Sequence, residues 1–152
     1  ANGHRTPLNV IGPRQTGHYG MVVPRFIKQA MLGDPITVYD DGEQRRCFTY
    51  IDAAVDGLVA LATSDQAFGE VFNLGSNFES SIKDLAYKIK EMTGSNSEIA
   101  FIPFSQTQNR NGLYEDLVYR APDLQKIRDL VGYDPKVDLD EALSRIIEDF
   151  KR

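Results

Sequence analysis

The chain has 152 residues, 41% hydrophobic and 26% charged, with 12 Gly and 7 Pro; this excludes disorder and suits one domain burying about 70% of its unfolded surface. Lys and Arg total 17 against 22 Asp and Glu, giving a net charge of −5 and a pI near 5.0, which argues against a nucleic-acid binder working by bulk phosphate neutralisation. Cys47 is the only cysteine, so an intrachain disulfide is excluded, and His4 and His18 beside it make no zinc-site spacing.

No apolar run approaches bilayer length and the N-terminus shows no signal-peptide core, so the expectation is a cytoplasmic chain without membrane contact. The run Leu8-Asn9-Val10-Ile11, stopped by Gly12-Pro13, reads as a buried strand ending in a turn, with a polar loop from Arg14 to Gly20. Val23, Phe26, Ile27 and Ala30 recur at helical spacing, Pro24 fits the first turn, and Gly33 closes that helix. Ile36 to Tyr39 is a strand, Asp40-Asp41-Gly42 a turn, and about Arg46 to Ile51 a second strand. Val55, Leu58, Val59 and Ala62 mark one face of a helix capped by Asp52.

Val71 to Leu74 reads as a further strand, broken at Gly75. Ser81 caps a helix with inner residues Ile82, Leu85, Ala86, Ile89 and Met92, ending at Gly94. Ile99 to Ile102 is a strand before Pro103, and Ser105 to Gly112 an exposed loop. Asp123 caps a short helix through Leu124, Ile127 and Leu130, ending at Gly132. Asp138 with Glu141 makes a capping box before Leu139, Leu143, Ile146 and Phe150. Strands and helices alternate, so the fold class is α/β, shading to α+β.

Most candidate chemistry dissolves on inspection. Tyr87, Lys88 and Lys90 lie on an amphipathic helix and read as its solvated face. Asp40 and Asp41 precede glycine and read as a turn. Cys47 has no histidine near it and reads as a buried strand residue, and the two histidines as exposed loop residues. The arginines do better. Gly12-Pro13-Arg14-Gln15 follows a strand, Arg45-Arg46 opens another, and Arg120 stands beside Ala121-Pro122. A guanidinium fork suits a diphosphate because it makes paired, charge-assisted hydrogen bonds. The competing reading is surface ion pairing in an acidic protein, and composition alone favours it.

The order and spacing of five segments change that balance. Asn9-Val10-Ile11-Gly12-Pro13-Arg14-Gln15, Pro35 to Gly42, Arg46-Cys47-Phe48-Thr49-Tyr50-Ile51, Val71 to Ser76, and Arg120-Ala121-Pro122-Asp123 with Gly132-Tyr133-Asp134-Pro135 run in that order. Together they resemble the C-terminal, substrate-binding part of the NAD-dependent nucleotide-sugar epimerases, dehydratases and decarboxylases, which are extended short-chain dehydrogenases/reductases. The resemblance implies one substrate-binding domain over residues 1–152, with 1–12 a remnant of the dinucleotide-binding half.

It also implies roles for particular residues. Asn9 would hydrogen-bond a nucleotide-sugar near its diphosphate. Thr37 to Arg46 would wrap the nucleotide, Thr37 and Val38 by their backbone and Tyr39 beside the base, while Arg46 meets the diphosphate. Tyr114 would line the same pocket. Arg120 matches an arginine that, in the decarboxylase branch, reaches the reacting sugar and assists proton delivery.

Three departures from the family pattern stand out. No Gly-x-x-Gly-x-x-Gly occurs, since Val23 follows Gly17 and Gly20; no tyrosine has lysine four residues later; and Ala53 stands where the family carries aspartate. The expectation is therefore half an enzyme: it holds a nucleotide-sugar weakly, binds no cofactor although the intact family uses NAD, and is inactive alone. Its partners would be a second copy or an NAD-binding half supplied in trans. The alternative is a free-standing interaction module without catalysis.

Overall fold

The computed structural model describes residues 9–17, 21–103 and 119–152, with 119 and 120 described by backbone alone. β1 (Val10–Ile11) runs parallel to β4 (Thr49–Tyr50), Val10 opposite Thr49. β2 (Ile36–Tyr39) runs parallel to β6 (Ile99–Ile102), in register from Ile36 opposite Ile99 to Tyr39 opposite Ile102. β3 (Arg45–Cys47) is the middle of a third sheet, antiparallel to β5 (Glu79–Ser81) and parallel to β7 (Tyr119–Arg120). The helices are α1 (Val22–Leu32), α2 (Ile51–Ala62), α3 (Ile82–Thr93), α4 (Gln125–Val131) and α5 (Leu139–Phe150). The mixed α/β expectation holds.

Several helix ends form as their sequence requires. Ser81 Oγ accepts from the Asp84 N–H at 2.9 Å, and Asp138 Oδ1 accepts from the Glu141 N–H at 2.9 Å, so α3 and α5 start on side-chain caps. Gly33, Gly94 and Gly132 end α1, α3 and α4 in the left-handed region. The apolar stripes of α1, α3 and α5 meet over β2. Phe26, Ile27, Ile36, Val38, Leu85, Ile89 and Leu143 are fully buried there. A smaller cluster of Ala54, Leu74, Leu124, Ile127 and Tyr133 lies under α2 and α4. Its polar member, Tyr133, donates from Oη to the Gly75 carbonyl at 2.8 Å, and burial followed by Asp56 pushes its phenol up to about 12.

Four expectations need correction. Val71 to Leu74 is not a strand: the segment has no ladder partner among the described residues, and its Asn73 side chain donates to the Asp123 carbonyl instead. The strand expected from Arg46 to Ile51 splits at Phe48, whose N–H donates to Phe78, and Ile51 already belongs to α2. Asp52 does not cap α2. Tyr50 holds that position, and Asp52, in the first turn, faces Arg145 at 3.6 Å. Leu124 takes the cap position of α4, while Asp123 accepts from the Gln125 N–H one residue earlier.

The apolar face of α2 read from the spacing is its exposed one. Val55, Leu58 and Val59 are 47%, 59% and 58% exposed, and the buried side is Ala53, Ala54 and Gly57. Gly57 explains the choice: a Cβ there would lie 2.3 Å from Leu74 Cδ1 and 2.8 Å from Tyr133 Cε2, so the helix approaches this cluster on its smallest residue. Leu8, His4, His18 and the loop at 105–112 lie outside the described residues.

Candidate functional site

β2 alternates as a half-buried strand should. Ile36 and Val38 point into the core, whereas Thr37 and Tyr39 are partly buried on the other face. Val38 can therefore meet a ligand only through its backbone. Thr37 is clamped by Gln29 of α1, which donates from Nε2 to its hydroxyl at 2.9 Å and accepts from its N–H at 3.2 Å. Arg25, one turn earlier, donates from Nη2 to the Thr37 carbonyl at 3.1 Å. Its guanidinium carbon stands 4.6 Å from the centre of the Tyr39 ring and 5.2 Å from that of Phe26. Neither Arg25 nor Gln29 was singled out by the sequence pattern. The available signal was their spacing, i and i+4, on the flank of the stripe of α1 that faces β2.

The turn after Tyr39 carries the chain into β3. Asp40 and Gly42 both have positive φ, 52° and 71°. At Gly42 a Cβ would meet Val38 Cγ1 at 2.6 Å and Lys83 Cβ at 3.0 Å, so only glycine fits. The Gly42 and Gln44 carbonyls accept from Lys83 and Ile82, which pins the turn to the start of α3. Asp40 and Asp41 are thus turn residues, as expected.

β3 separates the two adjacent arginines. Arg45 is exposed and pairs with Glu79, which raises its affinity for its proton through that hydrogen bond; it follows the ion-pair reading. Arg46 is only 9% exposed, and its Nη1 donates to the Arg45 carbonyl at 2.7 Å. In register Arg46 stands opposite Ser80 on one side and Arg120 on the other. Two arginines far apart in sequence are therefore neighbours across β3 and β7. Asn9 joins them at the next residue, donating from Nδ2 to the Cys47 carbonyl at 3.1 Å, and its own carbonyl accepts from Thr49. Arg14 is not part of this group; it is exposed, and its N–H donates to Asp149 of α5. Tyr114 lies outside the described residues.

Other reactive groups are quiet. Cys47 is buried, and burial pushes its thiol up, with Glu79 adding to the effect, so it is protonated at neutral pH. Tyr87 is exposed and Lys88 pairs with Asp140, a solvated helix face as expected. No group of three metal-ligating side chains occurs among the described residues. Among the same residues no helix is long and apolar enough to cross a membrane.

The starts of α2 and α3 are not built as phosphate sites for a dinucleotide. Its phosphates require a glycine-rich turn opening a helix. Here α2 opens on Tyr50 and α3 on Ser81, whose side chain already fills its cap. Gly12, after β1, is spent on packing: its Cβ would lie 2.6 Å from Ile51 Cγ2.

Residues 6–75 match the family model of the NAD dependent epimerase/dehydratase family. The chain is 38% identical over 145 residues to the UDP-N-acetyl-α-D-glucosaminuronate decarboxylase of Bacillus cytotoxicus, covering 95% of this chain and 44% of that one. It is 40% identical over 145 residues to UDP-glucuronic acid decarboxylase 1 of Xenopus tropicalis, covering 95% and 32%. This chain belongs to the NAD-dependent epimerase/dehydratase family. Among solved structures it resembles the UDP-glucuronic acid 4-epimerase of Bacillus cereus in complex with UDP-glucuronic acid and NAD, with a TM-score of 0.81 at 30% identity over 94% of this chain and 43% of that one. The family resemblance read from the five segments is therefore correct. The chain spans less than half the length of these relatives.

Proposed function

We propose that this chain is the nucleotide-sugar-holding part of an enzyme acting on UDP-sugars that carry a uronic acid. Arg46 meets the diphosphate, with Asn9 beside it and Arg120 on the adjoining strand. Thr37 and Val38 present backbone groups to the nucleoside, and Tyr39 lies along the base. In a decarboxylating parent, Arg120 serves the sugar end and assists proton delivery as carbon dioxide leaves. The observation that carries the reading is the register of β3, which seats Arg46 directly opposite Arg120. A guanidinium fork suits a diphosphate, which accepts paired, charge-assisted hydrogen bonds. The uronic acid comes from the relatives, whose names carry glucosaminuronate or glucuronic acid.

The chain has neither the glycine-rich turn nor the tyrosine–lysine pair, so its own residues hold substrate and turn nothing over. The test is ligand-observed NMR on the unmodified chain. UDP should bind at about the millimolar level, near −4 kcal/mol, and should outcompete uridine. Equal binding of UDP and uridine would refute the diphosphate clamp. Binding of neither would favour the second reading, an association module that docks a second copy or a cofactor-binding half. One observation supports that alternative: α2 is apolar on its exposed side, at Val55, Leu58 and Val59, as well as on its buried one.

A further inference from the structure

Thr37 and Tyr39 share one face of β2, and the two residues that hold them, Arg25 and Gln29, sit one turn apart on α1. Gln29 serves Thr37 as a neighbouring strand would, accepting its N–H and donating to its hydroxyl. The other polar residue, Arg25, does something a plain helix-to-strand tether does not need. One nitrogen bonds the Thr37 carbonyl, yet Nε is buried without a hydrogen-bond partner, and the guanidinium lies over two rings, those of Phe26 and Tyr39. Phe26, the inner ring, is fully buried and fixed in the core. The outer ring, Tyr39, is partly buried on the face of β2 turned away from that core. The guanidinium therefore transmits the rigidity of the core to an outward-facing tyrosine. A guanidinium suits this task because it is planar, weakly hydrated and attracted to ring faces.

We propose that Arg25 and Gln29 are positioning residues for the nucleoside end of the site. Arg25 takes one face of Tyr39 and fixes the plane of its ring, so that a pyrimidine base stacks on the opposite face; Gln29 fixes the Thr37 backbone beside it. The proposal rests on the reading that Thr37 to Arg46 wraps the nucleotide. It separates the site into two independently held halves, the base end through α1 and the diphosphate end through β3.

The experiment measures uridine, UDP and inorganic diphosphate binding to the whole chain and to Arg25→Ala and Arg25→Lys, with thermal unfolding of each. Arg25→Ala should weaken uridine and UDP roughly threefold to tenfold and leave inorganic diphosphate unchanged. Arg25→Lys, which keeps the charge without the planar stack, should recover part of the loss and serves if the alanine variant does not fold. A merely structural role would weaken all three ligands together and lower the unfolding temperature in proportion; that result, or unchanged UDP affinity in a folded Arg25→Ala, would overturn this inference alone. Failure of the unmodified chain to bind UDP would overturn the site itself, and the inference with it.

Discussion

Phe26→Ala is expected to destabilise the fold by about 3–5 kcal/mol, the range for removing a buried aromatic ring. Phe26 is fully buried in the cluster where α1 meets β2 and α3, with Ile27, Ile36, Val38, Leu85 and Ile89. No side chain in this close-packed layer can slide in to fill the space without leaving its own partners. Its ring also backs the Arg25 guanidinium, so the variant loosens the strand that carries Thr37 and Tyr39 as well. Against a total stability of about 5–15 kcal/mol for a domain, the loss is a large fraction of the whole. Urea unfolding should show a lower midpoint with an unchanged slope. A loss under about 1 kcal/mol would mean that α1 and β2 do not pack as described.

The second large effect is on binding. Arg46→Met keeps the aliphatic stem that fills the middle of the β5–β3–β7 sheet and removes the guanidinium fork. Each charge-assisted hydrogen bond to a diphosphate contributes about 1.5–3 kcal/mol, so losing even one should cost UDP tenfold or more in affinity. Uridine carries no phosphate and should be unaffected, which erases the preference between the two. Stability should fall by at least about 0.5–1.5 kcal/mol, the net worth of the hydrogen bond from Nη1 to the Arg45 carbonyl. Competition between the two ligands by NMR, beside thermal unfolding, reads both numbers. A variant that keeps its preference for UDP would place the diphosphate elsewhere.

How far the sequence is legible differs between elements for physical reasons. α1, α3 and α5 are readable because their signals are local: apolar spacing on one face, Ser81 and Asp138 at the starts, Gly33 and Gly94 at two of the ends. β2 and β6 are readable because their β-branched residues are bounded by turns. β5 is not, because Glu79-Ser80-Ser81 carries no hydrophobic pattern and becomes a strand only by pairing with β3. Val71 to Leu74 fails in the opposite sense, with a strand-like composition and no ladder partner among the described residues. For α2 the periodicity reports which residues share a face; which face turns inward was decided by Gly57, a packing question periodicity does not address.

The site divides in the same way. Arg46 and Arg120 were both picked out individually, yet their adjacency depends on the parallel register of β3 and β7, which no local pattern encodes. Arg25 and Gln29 carry no such signal, because their significance lies in what β2 presents to them, not in their own helix.

The central claim, that the segment from Thr37 to Arg46 wraps a nucleotide diphosphate, is tested most directly by mapping UDP onto the backbone amides of the labelled chain by NMR. The expected result is a saturable set of shifts concentrated at Asn9, at residues 37–46 and on β7, with the α2 amides unmoved. Shifts confined to α2 or scattered over the acidic surface, or none at millimolar UDP, would contradict it.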